Sequence, residues 1–121
     1  MGDKKVIVVL TGEICTGKST LADKLESEFG FKYCKTKEGL SHFAKKKLKG
    51  KIPDRHFLQK YGEYLDTTED GKWVLEYFQH LYQKEFDKNN FYVIDSARIL
   101  RQIQHLRDEY SYFVFHIHLE A

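Results

Sequence analysis

The stretch GEICTGKS, residues 12–19, decides the fold of this 121-residue chain. It matches the pattern G-x-x-x-x-G-K-[ST], in which a glycine-rich loop curls around phosphate groups. Before it, Val6–Leu10 form a short, β-branched apolar run that is typical of a buried strand. After it, Leu21, Leu25 and Phe29 recur at helical spacing, so the loop joins a strand to the N-terminus of a helix.

This loop predicts a site for a nucleoside triphosphate. The backbone N–H groups of such a loop point at phosphate oxygens, and the helix N-terminus adds positive potential. Lys18 would neutralise the β- and γ-phosphates, and the Ser19 hydroxyl would bind Mg²⁺. We therefore predict ATP and Mg²⁺ as cofactors. The predicted cofactor-binding residues are Gly12, Glu13, Ile14, Cys15, Thr16, Gly17, Lys18, Ser19 and Thr20. The alternative, a glycine-rich turn with a surface lysine, is disfavoured by the flanking strand and helix.

Composition and charge fit one compact domain. The chain is 41% hydrophobic, which is enough for a small core, and its net charge of +2 creates no overall field that requires a nucleic-acid partner. We find no apolar run that approaches a membrane span and no signal peptide. Cys15 and Cys34 are interpreted as reduced thiols, because a disulfide at the phosphate loop would interfere with the ligand. These features favour a cytoplasmic protein.

A short second strand follows the first helix, which Gly30 should end. Residues 31–35 are predicted to form that strand, and Thr36 is predicted to begin the next helix. The lysine-rich end of this helix, Lys45–Lys51, could attract an anionic substrate. We favour a solvated helix end, since lysines stabilise the negative pole of the helix dipole.

Two further helices are predicted before the third strand. Pro53 should open the first of them, with Asp54 in its favourable first turn. The second should run from Trp73 to Phe86, and its aromatic stripe is interpreted as core rather than as a platform for stacking bases. Three helices exceed what a simple crossover needs, so we predict a helical, substrate-covering subdomain at about residues 36–88.

The third predicted strand, Phe91–Asp95, ends on an acidic residue. Four apolar residues closing on an aspartate match the Walker B pattern, in which a buried strand delivers a carboxylate to Mg²⁺ at the carboxyl edge of the sheet. The alternative is that Asp95 caps the next helix. Together with the phosphate loop, the pattern predicts Ser19 and Asp95 as the metal ligands. Arg98 follows near the start of the next helix.

A fifth helix and a fourth strand complete the pattern. The residues expected to face inward from this helix are Ile99, Leu100, Ile103 and Leu106. The strand should run from Tyr112 to Leu119, with His116 and His118 on one face. Two histidines suggest a metal, but a third ligand is not apparent, so we favour packing near the cleft.

Taken in order, these motifs resemble the P-loop nucleoside monophosphate kinases, and most closely the deoxynucleoside monophosphate kinase branch. The resemblance rests on the phosphate loop, on Thr36 after the second strand, and on Asp95-x-x-Arg98, similar to the D-x-R of that branch with one extra residue. The R-x-x-L-Q-x-x-G helix that precedes a W-V helix in the branch is similar to residues 55–62 and 73–74 here. The resemblance implies an α/β fold: a parallel sheet in the order 2-3-1-4, with helices on both faces.

The resemblance also implies roles for individual residues. Thr36 and Lys37 would lie at the edge of the acceptor nucleotide, Arg55 and Arg98 would grip its phosphate, and Gln59 would touch its base. Transfer of a phosphoryl group between two anionic nucleotides requires cationic side chains beside each of them. A guanidinium group suits this task because it binds a phosphate through two parallel hydrogen bonds. The implied substrate-binding residues are thus Thr36, Lys37, Arg55, Gln59 and Arg98, and the catalytic residues Lys18, Asp95 and Arg98.

The chain departs from the family pattern at two places. Many relatives carry an arginine shortly after the threonine that Thr36 matches, and here Ser41 stands in that region. Kinases of this type also continue after the fourth strand into an arginine-bearing lid and a fifth strand. We therefore expect residues 1–121 to be one kinase-like domain that is incomplete at its C-terminus. It would be a truncated chain, one domain of a larger protein whose fused or partner domain supplies the lid, or a degenerate relative. Such a domain should bind nucleotide but transfer phosphate slowly.

Two functions from different classes follow. The first is ATP- and Mg²⁺-dependent phosphoryl transfer to a small nucleotide-like acceptor, the activity of a nucleotide kinase. The second is an ATP-binding regulatory or sensor module with little turnover. A third, a 5′-kinase that acts on polynucleotides, rests on the lysine run alone and would require salt-dependent binding to single strands.

Overall fold

Four parallel strands form the central sheet of the computed structural model, which describes residues 5–13, 16–82, 84, 90–110 and 114–120. The strands are β1 (Val6–Gly12), β2 (Lys32–Lys35), β3 (Phe91–Asp95) and β4 (Val114–Leu119). They lie in the order β2-β3-β1-β4, and each neighbouring pair is parallel. The expected α/β class and the order 2-3-1-4 are confirmed.

Five α-helices are described between the strands. They are α1 (Lys18–Phe29), α2 (Thr36–Lys47), α3 (Arg55–Thr68), α4 (Trp73–Tyr82) and α5 (Leu100–Tyr110). Helix α1 connects β1 to β2, α2–α4 lie between β2 and β3, and α5 lies between β3 and β4. Parallel strands need such crossovers, because the chain must return to the same end of the sheet before the next strand begins.

Side chains alternate between the two faces of the sheet, and helices cover both faces. On one face, strand residues from β1 and β3 pack against α4 and α5; the shared core includes Ile7, Val9, Tyr92, Ile94, Val74, Phe78, Ile103 and Leu106. On the other face, the strand residues pack against α1; this smaller cluster contains Val8, Leu10, Val93 and Ala22, flanked by Leu21 and Leu25. The apolar β1 run predicted a buried strand, and residues 7–10 are all buried.

The aromatic stripe of α4 belongs to the core, as predicted. Trp73, Tyr77 and Phe78 are each less than a tenth exposed. Phe78 packs edge-on against Tyr92 of β3 with ring centroids 5.3 Å apart, a favourable aromatic geometry. The predicted end of this helix at Phe86 lies outside the described residues, and helix α4 is described to Tyr82.

The ends of two helices test the local predictions. Gly30 ends α1 in the left-handed region at φ 72°, and its N–H donates to the carbonyl of Glu26, as a glycine C-cap should. The prediction for α3 was wrong by two residues: Pro53 precedes the helix, and Asp54 is its N-cap rather than part of the first turn. The Asp54 carboxylate accepts the N–H of Phe57 at 2.7 Å, so this side chain satisfies a donor that the helix leaves unpaired.

Leu100, which was expected to face inward, is exposed, and so is Phe29, the last of the three apolar residues that predicted α1. Phe29, the last residue of α1, is 65% exposed, and Leu100, the first residue of α5, is 74% exposed. At the start of α5 the buried position belongs to Gln102, which is fully inaccessible. Its amide oxygen accepts the N–H of Arg98 at 2.7 Å, and this hydrogen bond explains why a polar side chain replaces the apolar one.

The remaining boundaries differ slightly from expectation. Strand β2 begins at Lys32, one residue later than predicted, and the expected start of the fourth strand at Tyr112 lies outside the described residues. Cys34 in β2 is buried, and burial raises the pKa of its thiol to about 12, so the group stays protonated. In the described part of the chain, no helix combines the length and the apolar character needed to cross a membrane.

Candidate active site

The pairing of β1 with β3 brings the phosphate-loop sequence and the acidic strand end to the same edge of the sheet. The two strands are parallel, with Leu10 opposite Asp95. The N–H of Ala97 also donates to the carbonyl of Leu10 at 3.0 Å, so the chain stays close to β1 after β3 ends. Ligands of open parallel sheets bind at this carboxyl edge, beyond the ends of the strands.

Ser19 and Asp95, the predicted metal ligands, are in direct contact. The Ser19 hydroxyl donates to Oδ2 of Asp95 at 3.1 Å, although 76 positions separate the two residues. Hydroxyl and carboxylate oxygens suit Mg²⁺, which usually takes one or two protein ligands and leaves other positions to water and substrate phosphates. Among the described residues, no group of three histidine, cysteine or acidic side chains is placed to hold a metal. The chemistry of the pair therefore suits Mg²⁺ as a ligand pair that other oxygen donors would complete.

Tyr33 also reaches this carboxylate, and sequence reasoning missed it. Its phenol donates to the same Oδ2 of Asp95 at 2.8 Å. Burial, followed by the hydrogen bond and the charge of Asp95, raises the pKa of Tyr33 well above its ordinary value, so the phenol remains a donor at physiological pH. The sequence offered only the strand alternation that puts Tyr33 on the same side of β2 as Lys35. The structure adds the register, in which Lys35 lies opposite Asp95.

The described part of the phosphate-loop sequence depends on two glycines. Gly12 has φ 140°, and a Cβ on it would lie 2.4 Å from the carbonyl oxygen of Leu119 in β4. Gly17 caps α1 at φ 91°, a conformation that favours glycine. The ammonium of Lys18 donates to the carbonyl of Gly12, so the two ends of the loop are in contact. Ile14 and Cys15, both predicted to bind the cofactor, lie outside the described residues.

Two cavities meet at Lys18. One of about 580 Å³ contains the helix start and the β2 end; it is lined by Gly17, Lys18, Ser19, Thr20, Asp23, Tyr33, Lys35, Thr36, Lys37, Asp95 and Ser96. The other, of about 680 Å³, lies toward β4 and α5; its polar lining includes Thr11, Glu13, Thr16, Lys18, Arg98, His116 and His118. The first cavity thus brings predicted loop residues together with two of the predicted acceptor residues, Thr36 and Lys37. Arg98 lies in the second.

Thr36 is buried, and its hydroxyl is engaged by backbone. It accepts the N–H of Ser96 at 3.0 Å and lies 2.8 Å from the carbonyl oxygen of the same residue. These bonds join the start of α2 to the end of β3. Thr36 therefore holds this wall of the cavity in place, whereas the neighbouring Lys37 is exposed along it.

Arg98 is paired with a residue that the sequence did not single out. One guanidinium nitrogen lies 2.5 Å from Oδ2 of Asp66 in α3. The other oxygen of Asp66 accepts from the Trp73 indole at 2.8 Å and from the Gln102 amide at 2.7 Å. A Cβ on Gly62 would lie 2.9 Å from the Arg98 guanidinium, so this glycine lets the arginine lie against α3.

Arg55 and Gln59 are exposed side chains on the same helix. With Gly62 and Asp66, they are spaced by four, three and four residues, which places all four within about 60° around the helix axis. The contacts of Arg98 with Gly62 and Asp66 therefore lie on the stripe that carries Arg55 and Gln59. Neither of these two residues lines either cavity.

His116 and His118 share a face, as predicted, and both contact Thr11. The Thr11 hydroxyl lies 2.7 Å from Nε2 of His116 and 2.8 Å from Nδ1 of His118. Burial, with smaller contributions from Arg107 and His118, lowers the pKa of His116 and favours the neutral ring. The pair packs at the rim of the second cavity, in agreement with the preferred interpretation.

Comparisons with known proteins support the fold and show little beyond it. No protein-family model matches the chain, and no curated protein matches it either. Among solved structures, the chain is similar to a protein from Chloroflexus aurantiacus that is provisionally named a kinase, with a TM-score of 0.61 and 13% sequence identity. The likeness covers 97% of this chain and 59% of that one, so the chain spans less than two thirds of its length. The chain therefore has a kinase-like fold.

Proposed function

We propose that this protein transfers a phosphoryl group from ATP to a small nucleotide-like acceptor, with Mg²⁺ as cofactor. The observation that carries the proposal is the contact of Ser19 with Asp95 beside Lys18. These three residues come from the phosphate-loop sequence, the start of α1 and the end of β3. A hydroxyl, a carboxylate and an ammonium at one sheet edge are the groups that phosphoryl transfer from a magnesium nucleotide needs.

Each group has a defined task in this proposal. Ser19 and Asp95 hold Mg²⁺, which when bound neutralises charge on the phosphates of the nucleotide. Tyr33 keeps the Asp95 carboxylate oriented through its hydrogen bond. Lys18 exchanges its contact with the Gly12 carbonyl for phosphate oxygens, which are stronger partners for an ammonium group.

The acceptor is proposed to be anionic and nucleotide-like. Lys35 and Lys37 line the cavity that holds Ser19 and Asp95, and they favour a negatively charged ligand. Arg55 and Gln59 lie outside that cavity, on the α3 stripe that Arg98 contacts, and they are proposed to bind the acceptor from there. We propose that helices α2–α4 act as the acceptor-covering part of a single kinase-like domain.

A transfer assay with radiolabelled ATP tests the proposal. The protein is incubated with Mg-ATP, labelled on the γ-phosphate, and a panel of ribo- and deoxyribonucleoside monophosphates. We expect at least one labelled diphosphate product that disappears with EDTA and in the Asp95→Asn variant. The Lys24→Ala variant, which changes an exposed lysine of α1 outside both cavities, is the control. Lack of a labelled product for every acceptor would contradict the proposed activity.

A regulatory or sensor module that binds ATP with little turnover is the second candidate. The observation that favours it is the ion pair of Arg98 with Asp66, because an arginine bound to a carboxylate has less attraction left for an acceptor phosphate. The same assay separates the two candidates when binding is measured in parallel. Tight Mg-ATP binding without transfer to any acceptor would favour the module.

A further inference from the structure

A surface on α2 and α3 carries aromatic rings in series. Phe57, Tyr61 and Tyr64 follow one another along α3, and we call them the aromatic ladder. The first two rings have centroids 5.6 Å apart with 26° between their planes, and the second two are 6.2 Å apart with 14° between planes. The Lys47 ammonium at the end of α2 lies 5.8 Å from the Tyr61 ring and 5.5 Å from the Tyr64 ring.

The aromatic ladder borders a cavity of about 540 Å³ whose lining carries lysines, which favour an anionic ligand. Lys47, His56 and Lys60 line this cavity together with the three rings. Asp54 is the acidic residue in its lining, and its carboxylate already accepts the Phe57 N–H as the cap of α3. Tyr64 is 52% exposed, so a planar ligand can reach its ring.

The positive charge of the chain is concentrated in the segment that leads into the aromatic ladder. Residues 45–60 contain seven lysines and arginines and one aspartate, and all eight are exposed. Their net charge of +6 exceeds the +2 of the whole chain, so the rest of the protein is net negative. The small overall charge therefore conceals a basic surface whose field attracts polyanions.

This surface is separate from the candidate active site. At about 100° per residue, Phe57, Tyr61 and Tyr64 fall within about 60° of one another around α3. The stripe of Arg55, Gln59, Gly62 and Asp66 lies on roughly the opposite side of the helix. A ligand on the aromatic ladder would leave the second cavity, which Arg98 lines, open. The inference therefore does not depend on the proposed function.

We propose that the aromatic ladder and the lysines of residues 45–60 bind single-stranded nucleic acid. Unpaired bases stack on aromatic rings irrespective of sequence, while lysines contact the phosphates, and this surface offers both groups side by side. Duplex bases have no free face for the rings. An anionic membrane would be held by the lysines, but insertion calls for several exposed apolar side chains, and residues 45–60 expose one large apolar side chain, Ile52. The partner is therefore an unpaired strand.

Fluorescence anisotropy with a labelled oligothymidylate of about twenty nucleotides tests this binding. We expect binding to weaken steeply as salt rises from about 0.05 to 0.2 M, with a slope of about −0.7 per phosphate contact. A duplex of the same length should bind several-fold more weakly. Tighter binding to the duplex, a flat salt response, or binding to phosphatidylserine vesicles but not to the oligonucleotide would overturn the proposal.

Matched variants locate the surface. Tyr64→Ala should weaken binding about tenfold, because stacking on one base is lost. Phe29→Ala on α1 is its control, since Phe29, at 65%, is also more than half exposed and lies outside the basic segment. The double variant Lys49→Glu and Lys51→Glu, which changes exposed side chains outside the helices, should reduce affinity at least tenfold. Unchanged affinity in this double variant would contradict the proposal even if Tyr64→Ala fails to fold.

Discussion

Arg98 binds Asp66 through a guanidinium nitrogen and a carboxylate oxygen that lie 2.5 Å apart. The side chain of Asp66 is 11% exposed, and its other oxygen accepts from Trp73 and Gln102. The aspartate thus joins the end of α3 to the starts of α4 and α5. A guanidinium group has five donors in a planar fork, so a phosphate can bind Arg98 without breaking the ion pair. The structure therefore holds the predicted phosphate-binding arginine at the edge of the second cavity.

The first prediction separates donor from acceptor binding. Arg98→Ala should weaken monophosphate binding by about tenfold or more, the usual effect of losing a charge-assisted hydrogen bond, while ATP binding changes little. Calorimetry with each ligand measures both affinities. Asp66→Asn is the companion variant: it removes the ion pair but leaves Arg98 present, so it should retain monophosphate binding. Equal losses for ATP and monophosphate in Arg98→Ala would mean that Arg98 serves the donor or supports the fold.

The second prediction concerns Tyr33. Tyr33→Phe removes the phenol that donates to Asp95 at 2.8 Å and leaves the ring in place. A typical hydrogen bond contributes about 0.5–1.5 kcal/mol to stability. Because Tyr33 is only partly buried, we expect the loss to lie at or below the lower end of that range. The carboxylate loses an orienting partner, so the Mg²⁺ concentration needed for half-maximal ATP binding should rise several-fold. A titration of Mg²⁺ at constant ATP gives this value, and an unchanged magnesium requirement would show that Tyr33 does not position Asp95.

The third prediction is a loss of stability in mild acid. His42 of α2 has a buried Nε2 without a hydrogen-bond partner among the described residues, and its ring lies 4.7 Å from that of His80. Burial, followed by the charges of Lys46 and His80, lowers the pKa of His42 below its ordinary value of 6.5. The unfolded chain therefore takes up a proton more readily than the folded one. Stability should be full above pH 6.5 and should fall as the pH drops below that value.

Thermal unfolding at about pH 7.5 and about pH 5.5 measures this effect. The His42→Phe variant is the comparison, since it keeps a ring and cannot take up a proton. Its Tm should fall less between the two pH values than that of the unchanged protein. The same fall in both proteins would place the acid sensitivity on other groups, such as His116, whose pKa is also lowered.

The parts of the fold that follow from local pattern were predictable from the sequence. The β-branched run of β1, the glycine C-cap of α1 and the acidic end of β3 are encoded within a few residues. The strand order came from the resemblance, because periodicity alone does not determine which strands are neighbours. The contact of Ser19 with Asp95 then follows from that order, since adjacent parallel strands end at the same edge.

The contacts that sequence reasoning missed depend on how helices pack. Asp66 looks like an ordinary helix-surface residue until α3 lies against α4 and α5 and brings three donors to it. Leu100 was expected inside because of its apolar side chain, but Gln102 takes the buried position by bonding both Asp66 and the Arg98 backbone. Which side chain is buried at such a position depends on hydrogen bonds between segments that are distant in sequence. Hydrophobic periodicity carries no information about these hydrogen bonds.

The most direct test of the central claim is calorimetry of Mg-ATP binding to the unchanged protein and to Lys18→Ala. Lys18 lines both cavities and contacts the Gly12 carbonyl rather than the core, so the variant should fold. Loss of its contact with phosphates should cost about 1.5–3 kcal/mol, or about ten- to a hundredfold in affinity. Lys24→Ala on the exposed side of α1 should bind like the unchanged protein. Unchanged Mg-ATP affinity in a folded Lys18→Ala protein would contradict the assignment of this sheet edge as the nucleotide site.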